Sequence, residues 1–546
     1  MGTFSFKTRN ENLARLADEE FDVFVIGGGI TGAGVARDAA SRGLRVALVE
    51  GGDFASGTSS RSSKLIHGGI RYLENKEFGL VFEALSERRR LIEMAPHLVH
   101  PLKFTIPLYQ GDRVGMGLMG LGMWVYDALA LFETPEIHQR LSPQQALTKF
   151  PFLRSSGLLG AYDYYDAYMD DDRLVIETLR DANRLGAVIV NYVRAGKAEF
   201  GADSKVQAIH VEDLRTRREF RIRARHVISA GGPWTDQLGE AFVSDWKKIL
   251  RPSKGVHITF DRKRVPLQNV VVMATRADKR IVFAIPRHDM VIIGTTDTDF
   301  PQSPEYVQST ADDVDYLLSV ANGYFPGLKL TKSDIVASYS GVRPLVDDGS
   351  ESESKTSREH VIFNDARGFT FVAGGKYTTY RKMAEQTVEK ALRLFTLEDR
   401  VRFGRSNTTA PLNPMVTVQE LERARQLAPI WAERYGMNPN DIHLWVDRHG
   451  MEAEELIFLY HKQACRSVWG AEAWHAIENT MCLDLLDFFL RRTPLFLSRR
   501  DHGREFLREI VAIFEKAYGW DEGERSVQIE KINQHQSYEM GWFTGI

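Results

Sequence analysis

Short apolar runs that end in glycine mark the first part of the chain. Residues 21–29, FDVFVIGGG, are rich in β-branched and aromatic side chains, and residues 45–50, RVALVE, form a second apolar run. The stretch TGAGVARDAASRG between them has the pattern of a helix that stops at Gly43. Strand, helix and strand in this order predict a βαβ unit, whose parallel strands predict an α/β sheet with helices on its faces.

Three later segments repeat parts of this pattern. Residues 170–192, DDDRLVIETLRDANRLGAVIVNY, predict an acidic helix start, an amphipathic helix, a glycine stop and a strand. Residues 225–232, RHVISAGG, and 369–375, FTFVAGG, are apolar strands that run into glycine pairs. We therefore expect one nucleotide-binding domain assembled from distant segments.

The remaining pattern predicts two further domains. Residues 251–300 alternate in hydrophobicity, as in GVHITF and MVIIGTTD, which favours an antiparallel sheet in an inserted domain. Residues 407–414, NTTAPLNP, have the composition of a linker, and beyond them apolar residues recur with a spacing near 3.6, which is typical of helices. The predicted boundaries are 20–100, 165–250 and 330–398 for the nucleotide domain, 101–164 and 251–329 for the inserted substrate or cap domain, and 399–546 for the helical domain.

Composition and charge exclude several classes of protein. With 546 residues, 43% of them hydrophobic and 26% charged, the chain is globular and too long for one core. A net charge of -3 gives no general attraction to nucleic acid. The cysteines Cys465 and Cys482 lack CxxC spacing, so we expect neither a disulfide framework nor a metal site, and a reducing compartment fits.

Two segments bear on the relation to membranes. The first twenty residues are polar and lack the apolar core of a signal peptide, so we expect the protein in the cytoplasm or on the inner face of a membrane. Residues 115–132, GMGLMGLGMWVYDALALF, contain Asp127 and four glycines, which favours a buried or amphipathic helix over a membrane span. Contact of an apolar helix face with the membrane surface stays open; that face would include Met119, Met123, Trp124 and Leu131.

The strongest local motif is a GxGxxG turn between the first strand and helix. Gly27 permits the tight turn, Gly29 lets a pyrophosphate approach the backbone, and Gly32 packs the helix on the strand. Glu50 ends the next strand, where a carboxylate can accept a hydrogen bond from a ribose hydroxyl. The motif alone does not separate NAD from FAD, but the following loop, GGDFASGTSSRSSKLIHGG, suits a long ligand and favours FAD. A glycine-rich turn without ligand is the structural alternative.

A second motif, SSKLIHGGIRYLE at 62–74, places charged and aromatic side chains around the pair Gly68 and Gly69. Adjacent glycines cost about 1 kcal/mol each inside a helix, so a solvated helix face does not explain them. We expect a ligand to approach this backbone closely.

The chain resembles the bacterial FAD-dependent glycerol-3-phosphate dehydrogenases. The stretches that carry the resemblance are SSKLIHGGIRYLE, DKRIVFAIP, IIGTTDTDF, SYSGVRPLVDD and AGGKYTTYRKMAE, in the family's order. The resemblance is dense over residues 20–395 and looser in the helical tail. It implies an α/β fold with a Rossmann-like FAD-binding domain, as in glycine-oxidase-like flavoproteins, an inserted α+β substrate domain with an antiparallel sheet, and a C-terminal α-helical domain.

The resemblance also implies an activity and partners. Proteins of this family oxidise sn-glycerol 3-phosphate to dihydroxyacetone phosphate, bind FAD, lie on the inner membrane surface, and pass electrons to ubiquinone or menaquinone. The resemblance implies a homodimer as well. A glycerophosphate oxidase that reduces oxygen to peroxide is the nearest rival, although such oxidases tend to carry a long insert that this sequence lacks. An amine or amino-acid oxidase would share the fold, and a flavin-binding protein without turnover is the rival from outside the enzymes.

The candidate substrate ligands are cations at positions that match the family. Arginine offers a bidentate fork and lysine a point charge to a phosphate dianion. These positions are Arg71, Arg343, Arg358 and Lys376. Arg358 has solvation in a charged loop as its alternative, and Arg343 and Lys376 have structural roles beside glycines as theirs.

The candidate catalytic residues are His257, His67 and Tyr72. Both histidines match family positions near flavin and substrate, and His257 is favoured as base or polarising group, with a hydrogen bond to flavin or backbone as the alternative. The candidate cofactor ligands are Gly27, Gly29, Gly32, Glu50, Thr58, Ser59, Ser63, Lys64, Leu65, His67, Gly68, Gly69, Ala230, Gly231, Gly375, Lys376 and Thr378.

Overall fold

A computed structural model describes residues 4–70, 73, 77–276, 278, 280–347, 349 and 359–543. The strands, in chain order, are β1 (Glu20–Ile26), β2 (Val46–Val49), β3 (Leu65–Ile66), β4 (Val99–Tyr109), β5 (Gln139–Leu141), β6 (Leu158–Met169), β7 (Val188–Val190), β8 (Val193–Phe200), β9 (Val206–Asp213), β10 (Arg218–Ser229), β11 (Ser253–Asp261), β12 (Val270–Ala274), β13 (Ile281–Arg287), β14 (Met290–Gly294), β15 (Thr298–Asp299), β16 (Ile335–Arg343), β17 (His360–Asp365) and β18 (Phe369–Gly374).

The helices surround the strands and fill the C-terminal part of the chain. In chain order they are α1 (Phe6–Asp18), α2 (Ile30–Ser41), α3 (Phe78–Met94), α4 (Met116–Leu129), α5 (Pro143–Lys149), α6 (Asp171–Arg184), α7 (Thr235–Phe242), α8 (Ala311–Tyr324), α9 (Tyr380–Leu392), α10 (Leu397–Arg402), α11 (Val418–Tyr435), α12 (Pro439–His449), α13 (Ala453–Lys462), α14 (Val468–Asn479), α15 (Leu485–Arg491), α16 (Leu495–Ser498), α17 (Arg504–Tyr518) and α18 (Glu522–Glu539).

The first sheet contains the strands predicted from the glycine-ended runs. Its order is β17-β18-β10-β1-β2-β7, and β9 and β8 extend it from β10. Strands β18, β10, β1, β2 and β7 are parallel to their neighbours in this series. The side chains of β1 from Phe21 to Ile26 are all buried, as expected for a parallel strand covered on both faces. The predicted α/β fold class is confirmed, and the glycine-ended runs from distant parts of the chain lie in one sheet.

The turn between β1 and α2 depends on glycine. Gly27 has φ +110, and a Cβ on it would lie 2.5 Å from the carbonyl oxygen of Ala230, which follows β10. A Cβ on Gly32 would lie 1.8 Å from the carbonyl oxygen of Gly27. The absence of a side chain at Gly32 lets α2 pack on the turn. The absence of one at Gly27 lets the turn pack on the end of β10.

The second sheet is mixed and mainly antiparallel, as the alternation in residues 251–300 predicts. Its order is β15-β11-β14-β13-β12-β4-β6-β3, with β16 on β11 and β5 on β6. In the β11–β16 pair, His257 lies opposite Tyr339. Strand β16 belongs to this sheet although it falls within the segment 330–398 that we assigned to the nucleotide domain, so its last residue, Arg343, approaches the nucleotide domain from the second sheet.

Helix α4 forms the weakly charged stretch that the sequence predicts as a buried or amphipathic helix. Its Met123 and Tyr126 are buried, whereas Leu121 is 63% and Trp124 54% exposed. Within the described residues, no helix combines the length and the apolar composition needed to cross a bilayer. The C-terminal part is helical from α11 to α18, as predicted.

Candidate active site

A cleft opens at the carboxyl edge of the first sheet, where the second sheet faces it. The nucleotide domain contributes the turn after β1, the loop 56–63, the turn 230–234 after β10 and residues 374–378 after β18. The second sheet contributes Gly255, His257 and Arg343. The carboxyl edge of parallel strands is where such folds bind ligands.

Glu50 stands at the end of β2 with its carboxylate fixed by backbone. Its Oε2 accepts a hydrogen bond from the Gly28 N–H at 2.7 Å, and its Oε1 accepts one from the Gly52 N–H at 2.9 Å. Burial raises the pKa of Glu50 above its ordinary value, although these two donors oppose the shift. Each carboxylate oxygen keeps further acceptor capacity, so Glu50 can also receive a ribose hydroxyl in the cleft.

The N-terminus of α2 provides a place for an anionic group. Gly29 caps this helix in an extended conformation, and a Cβ on it would meet only the Ser59 Oγ, at 3.1 Å. The same Ser59 Oγ accepts a hydrogen bond from the Ile30 N–H at 3.0 Å. The positive end of the helix dipole and a side-chain-free turn fit a pyrophosphate, and with Glu50 they fit the adenosine diphosphate part of a dinucleotide.

His257 lies on β11 in the cleft wall and is buried. Its ring stacks on Tyr339 at 4.7 Å between centroids, and its Nε2 lies 2.8 Å from the Ser63 Oγ. Its Nδ1 is buried and forms no hydrogen bond within the described part of the chain. Burial, reinforced by the charges of Arg343 and Lys64, holds the pKa of His257 well below its ordinary value, so the imidazole is neutral near pH 7.

Arg343 brings a cation to the cleft from the end of β16. Its guanidinium donates to the Thr295 Oγ1 at 2.7 Å and to the Asp297 Oδ1 at 2.9 Å. A Cβ on Gly255 would lie 2.3 Å from this guanidinium, so the glycine makes room for it. The Arg343 terminal nitrogens also donate to the Ser253 Oγ and to the Thr296 carbonyl oxygen, both at 3.1 Å, so the planar group is held at the cleft wall as a fixed positive charge.

Lys376 and Thr378 line the cleft beyond β18. The chain reaches them through Gly374 and Gly375, at φ +74 and +87, a left-handed conformation that favours glycine. Lys376 precedes the short helical turn Tyr377–Thr379, so a cation and a helix N-terminus face the same cavity.

Most of the candidate residues line this single cleft, and some do not. Those in its wall are Gly27, Gly29, Glu50, Thr58, Ser59, Ser63, Leu65, His67, Ala230, Gly231, His257, Arg343, Gly375, Lys376 and Thr378. Gly32 lies behind the turn and acts through packing. Arg71, Tyr72 and Arg358 lie outside the described residues.

Lys64 has a different environment from the one we expected. Its side chain is 1% exposed and is absent from the cleft wall. The ammonium pairs with the buried Asp171 at the start of α6 and donates to the Ser60 carbonyl oxygen at 3.1 Å. The Lys64 side chain therefore anchors the loop 56–63 rather than facing a cofactor.

Contacts within the protein, and not only a bound ligand, explain the glycine pair Gly68 and Gly69 of the second motif. A Cβ on Gly68 would lie 2.5 Å from the Tyr126 Oη and 2.6 Å from the Leu85 Cδ2, and the Gly68 N–H donates to the same Tyr126 Oη at 3.0 Å. Gly69 has φ +74. The protein's own packing and backbone conformation thus require both glycines, and neither lines the cleft.

Sequence reasoning missed several residues of the cleft. Among them are Thr31, Arg61, Ser62, Trp234, Gly255 and Gly341. Gly255 could have been predicted from the sequence, because an isolated glycine within a strand pattern indicates that another group closely approaches the backbone. A close approach also explains the glycine at position 341, since a Cβ there would lie 2.8 Å from the Arg61 Cβ.

The glycine turn and the fixed carboxylate form a dinucleotide site, and the match to a family model defines the class as the FAD-dependent oxidoreductases. A family model described as FAD dependent oxidoreductase matches residues 22–381, and one described as the C-terminal domain of alpha-glycerophosphate oxidase matches residues 419–525. Glycine oxidase from Geobacillus kaustophilus shares the fold, with a TM-score of 0.53 at 21% identity over 71% of this chain and 99% of that one. FAD is the cofactor.

Relatives over the full length identify the family. The aerobic glycerol-3-phosphate dehydrogenase of Bacillus subtilis is 35% identical over 97% of both chains, and the alpha-glycerophosphate oxidase of Streptococcus pyogenes is 34% identical over 97% of both. The structure of the glycerol-3-phosphate dehydrogenase from Bacillus halodurans complexed with FAD has a TM-score of 0.82 at 29% identity and covers 100% of both chains. The chain belongs to the FAD-dependent glycerol-3-phosphate dehydrogenase and oxidase family.

The fixed carboxylate at the end of β2 gives a first test. We expect Glu50→Gln to raise the dissociation constant for FAD about tenfold, because an amide nitrogen would replace one acceptor facing a backbone N–H. Titration of the flavin-free protein with FAD, followed by flavin fluorescence, measures the change. Glu20→Gln, at the exposed start of β1, is the matched control, and equal affinities of the two variants would contradict the assignment.

Proposed function

We propose that the protein oxidises sn-glycerol 3-phosphate to dihydroxyacetone phosphate and passes the electrons to a membrane quinone, ubiquinone or menaquinone. One observation carries the proposal: the cations Arg343 and Lys376 line the same cleft as a buried neutral histidine, His257, and a dinucleotide turn. The names of the full-length relatives support the same substrate.

The cations match a phosphorylated substrate better than an amine or an amino acid. A phosphate dianion needs fixed donors, and Arg343 is fixed by Thr295 and Asp297. Because Asp297 balances part of its charge, a second cation is needed for a dianion, and Lys376 lines the same cleft. Arg71 and Arg358 remain candidates for further phosphate contacts on the strength of the family resemblance alone.

His257 is our candidate for the proton acceptor. When bound, FAD supplies the hydride acceptor for the carbon that is oxidised. The Nδ1 of His257 has no hydrogen-bond partner in the described chain, and the low pKa of the ring keeps it unprotonated near pH 7. A bound phosphate would raise that pKa and favour proton uptake from the substrate hydroxyl. His67 also lines the cleft and is the second candidate, while Tyr72 stays a prediction for orienting the substrate.

The final electron acceptor, quinone or oxygen, distinguishes a dehydrogenase from an oxidase. The alignment with the streptococcal oxidase extends over 605 positions, more than the 546 residues of this chain, so that oxidase carries residues that this chain lacks. This difference favours the quinone-linked reaction.

The proposed reaction is tested by anaerobic titration of the FAD-loaded protein. We expect glycerol 3-phosphate to bleach the flavin band at about 450 nm, and glycerol or a D-amino acid to leave it unchanged. A flavin that stays oxidised with all three would overturn the proposal. Reoxidation by a soluble quinone analogue without peroxide identifies the dehydrogenase, whereas stoichiometric peroxide in air identifies the oxidase.

The role of Arg343 is tested by a conservative change. We expect Arg343→Lys to raise KM for glycerol 3-phosphate about 10- to 100-fold with normal FAD content, because a charge-assisted hydrogen bond contributes about 1.5–3 kcal/mol and lysine lacks the fork. Steady-state kinetics separate KM from kcat. Arg217→Lys, at an exposed position, is the control, and an unchanged KM would remove Arg343 from the phosphate site.

We also propose that the protein acts in the cytoplasm at the inner face of the membrane, with α4 as the contact helix, and as a homodimer. The support for α4 is an apolar cluster on and beside it that solvent reaches: Leu118, Leu121, Trp124, Leu131 and Phe132. A surface of this kind is typical of contact with a bilayer interface.

Vesicle binding tests the contact helix. We expect Leu121→Glu to lower the fraction that sediments with anionic phospholipid vesicles about tenfold, because a carboxylate replaces an apolar group at the bilayer interface. Leu397→Glu carries the same change at a 74% exposed position in α10 and serves as the control. Equal sedimentation of both variants would contradict the assignment of α4.

A further inference from the structure

The C-terminal helices contact the segment 51–63, which follows Glu50 and forms one wall of the FAD cleft. We propose that the C-terminal helical domain positions this cofactor loop through two ion-pair contacts, one buried and one half-buried, at opposite ends of the segment. The positioning residues are Asp53 with Arg491 and Arg492, and Arg61 with Glu539. This role concerns the binding of FAD and is independent of the substrate and of the electron acceptor.

The first contact lies just after Glu50. Asp53 is 2% exposed, and its Oδ2 accepts from the Arg491 Nε at 2.7 Å and from an Arg492 terminal nitrogen at 2.9 Å. Arg491 ends α15 and Arg492 follows it, so both cations come from the helical domain. The neighbouring Gly52 donates its N–H to Glu50. This ion pair therefore holds the turn that orients the Glu50 carboxylate.

The second contact lies at the other end of the segment. The Arg61 guanidinium donates to the Glu539 Oε1 at 3.1 Å and to the Ser340 carbonyl oxygen at 2.8 Å. Glu539 is the last residue of α18 and is 1% exposed. Its backbone carbonyl oxygen accepts from the Ser338 Oγ on β16 at 2.5 Å. The end of the C-terminal helix is thus seated against β16, with its carboxylate directed to an arginine of the cleft wall.

Between these two contacts the segment carries groups that face the cofactor and the candidate base. The Ser59 Oγ accepts a hydrogen bond from the Ile30 N–H at the start of α2, and the Ser63 Oγ contacts the His257 Nε2. The only regular structure in the segment is the single helical turn Thr58–Ser60. A loop with so little backbone structure depends on side-chain contacts for its order, because ordering each residue costs about 1–2 kcal/mol of conformational entropy.

A purely structural role for these ion pairs predicts a different result. If the helical domain only added stability, removing one charge would lower the unfolding temperature of the whole protein and leave the cofactor site of the folded protein unchanged. If the domain positions the loop, the same change alters FAD affinity and loop order in protein that is still folded.

The test uses Glu539→Gln, which keeps the shape of the side chain and removes its charge. Burial raises the pKa of Glu539 to about 7, so the measurement is made at pH 8.5, where the parent carboxylate is charged. The groups that face the Glu539 carboxylate are Arg61 and His535. Burial lowers the pKa of His535 to about 3, so at pH 8.5 only Arg61 of these two is charged. Glu530→Gln, at an exposed position on the same helix, is the control.

We expect Glu539→Gln to raise the dissociation constant for FAD about tenfold and to speed amide hydrogen exchange in residues 56–63, while Glu530→Gln changes neither. Arg492→Lys keeps the charge but loses the fork to Asp53, and we expect it to weaken FAD binding with faster exchange in residues 51–55. If Glu539→Gln fails to fold, the FAD affinity and amide exchange of Arg492→Lys test the proposal instead. Parent-like FAD affinity and exchange in the folded variants would overturn the proposal.

Discussion

The structure depends on one close approach, between the glycine turn after β1 and the backbone that follows β10. A Cβ on Gly27 would lie 2.5 Å from the Ala230 carbonyl oxygen, and a Cβ on Gly32 would lie 1.8 Å from the Gly27 carbonyl oxygen. Only side-chain-free positions let the strand ends and the N-terminus of α2 meet. This meeting forms one edge of the cleft that we propose for FAD, and the other walls are arranged around it.

Charges in this cleft are fixed by neighbours before any ligand binds. Backbone N–H groups hold Glu50, and Asp297 and Thr295 hold Arg343. Burial keeps His257 neutral, and the positive charges of Arg343 and Lys64 reinforce this. Fixed groups need no reorganisation when a ligand binds, which is how a protein contributes orientation and electrostatics while the cofactor supplies the redox chemistry.

The sequence was informative wherever a function is encoded by neighbours along the chain. The run from Phe21 to Glu50 contains strand, turn, helix and carboxylate, and the structure has all four. The packing of Lys64 and Gly68 could not be predicted, because their partners, Asp171 and Tyr126, are 107 and 58 residues away. No local pattern reveals such pairings. For the same reason, the contacts of the C-terminal helices with the cofactor loop emerge only from the folded chain.

In the proposed reaction, one cleft brings a phosphorylated polyol to FAD through Arg343, Lys376 and His257. The most direct measurement is a crystal structure of the protein with FAD and dihydroxyacetone phosphate. We predict a phosphate oxygen within about 4 Å of the Arg343 guanidinium or the Lys376 ammonium, with the substrate carbon chain beside His257. A phosphate bound away from both cations would contradict the proposed substrate site.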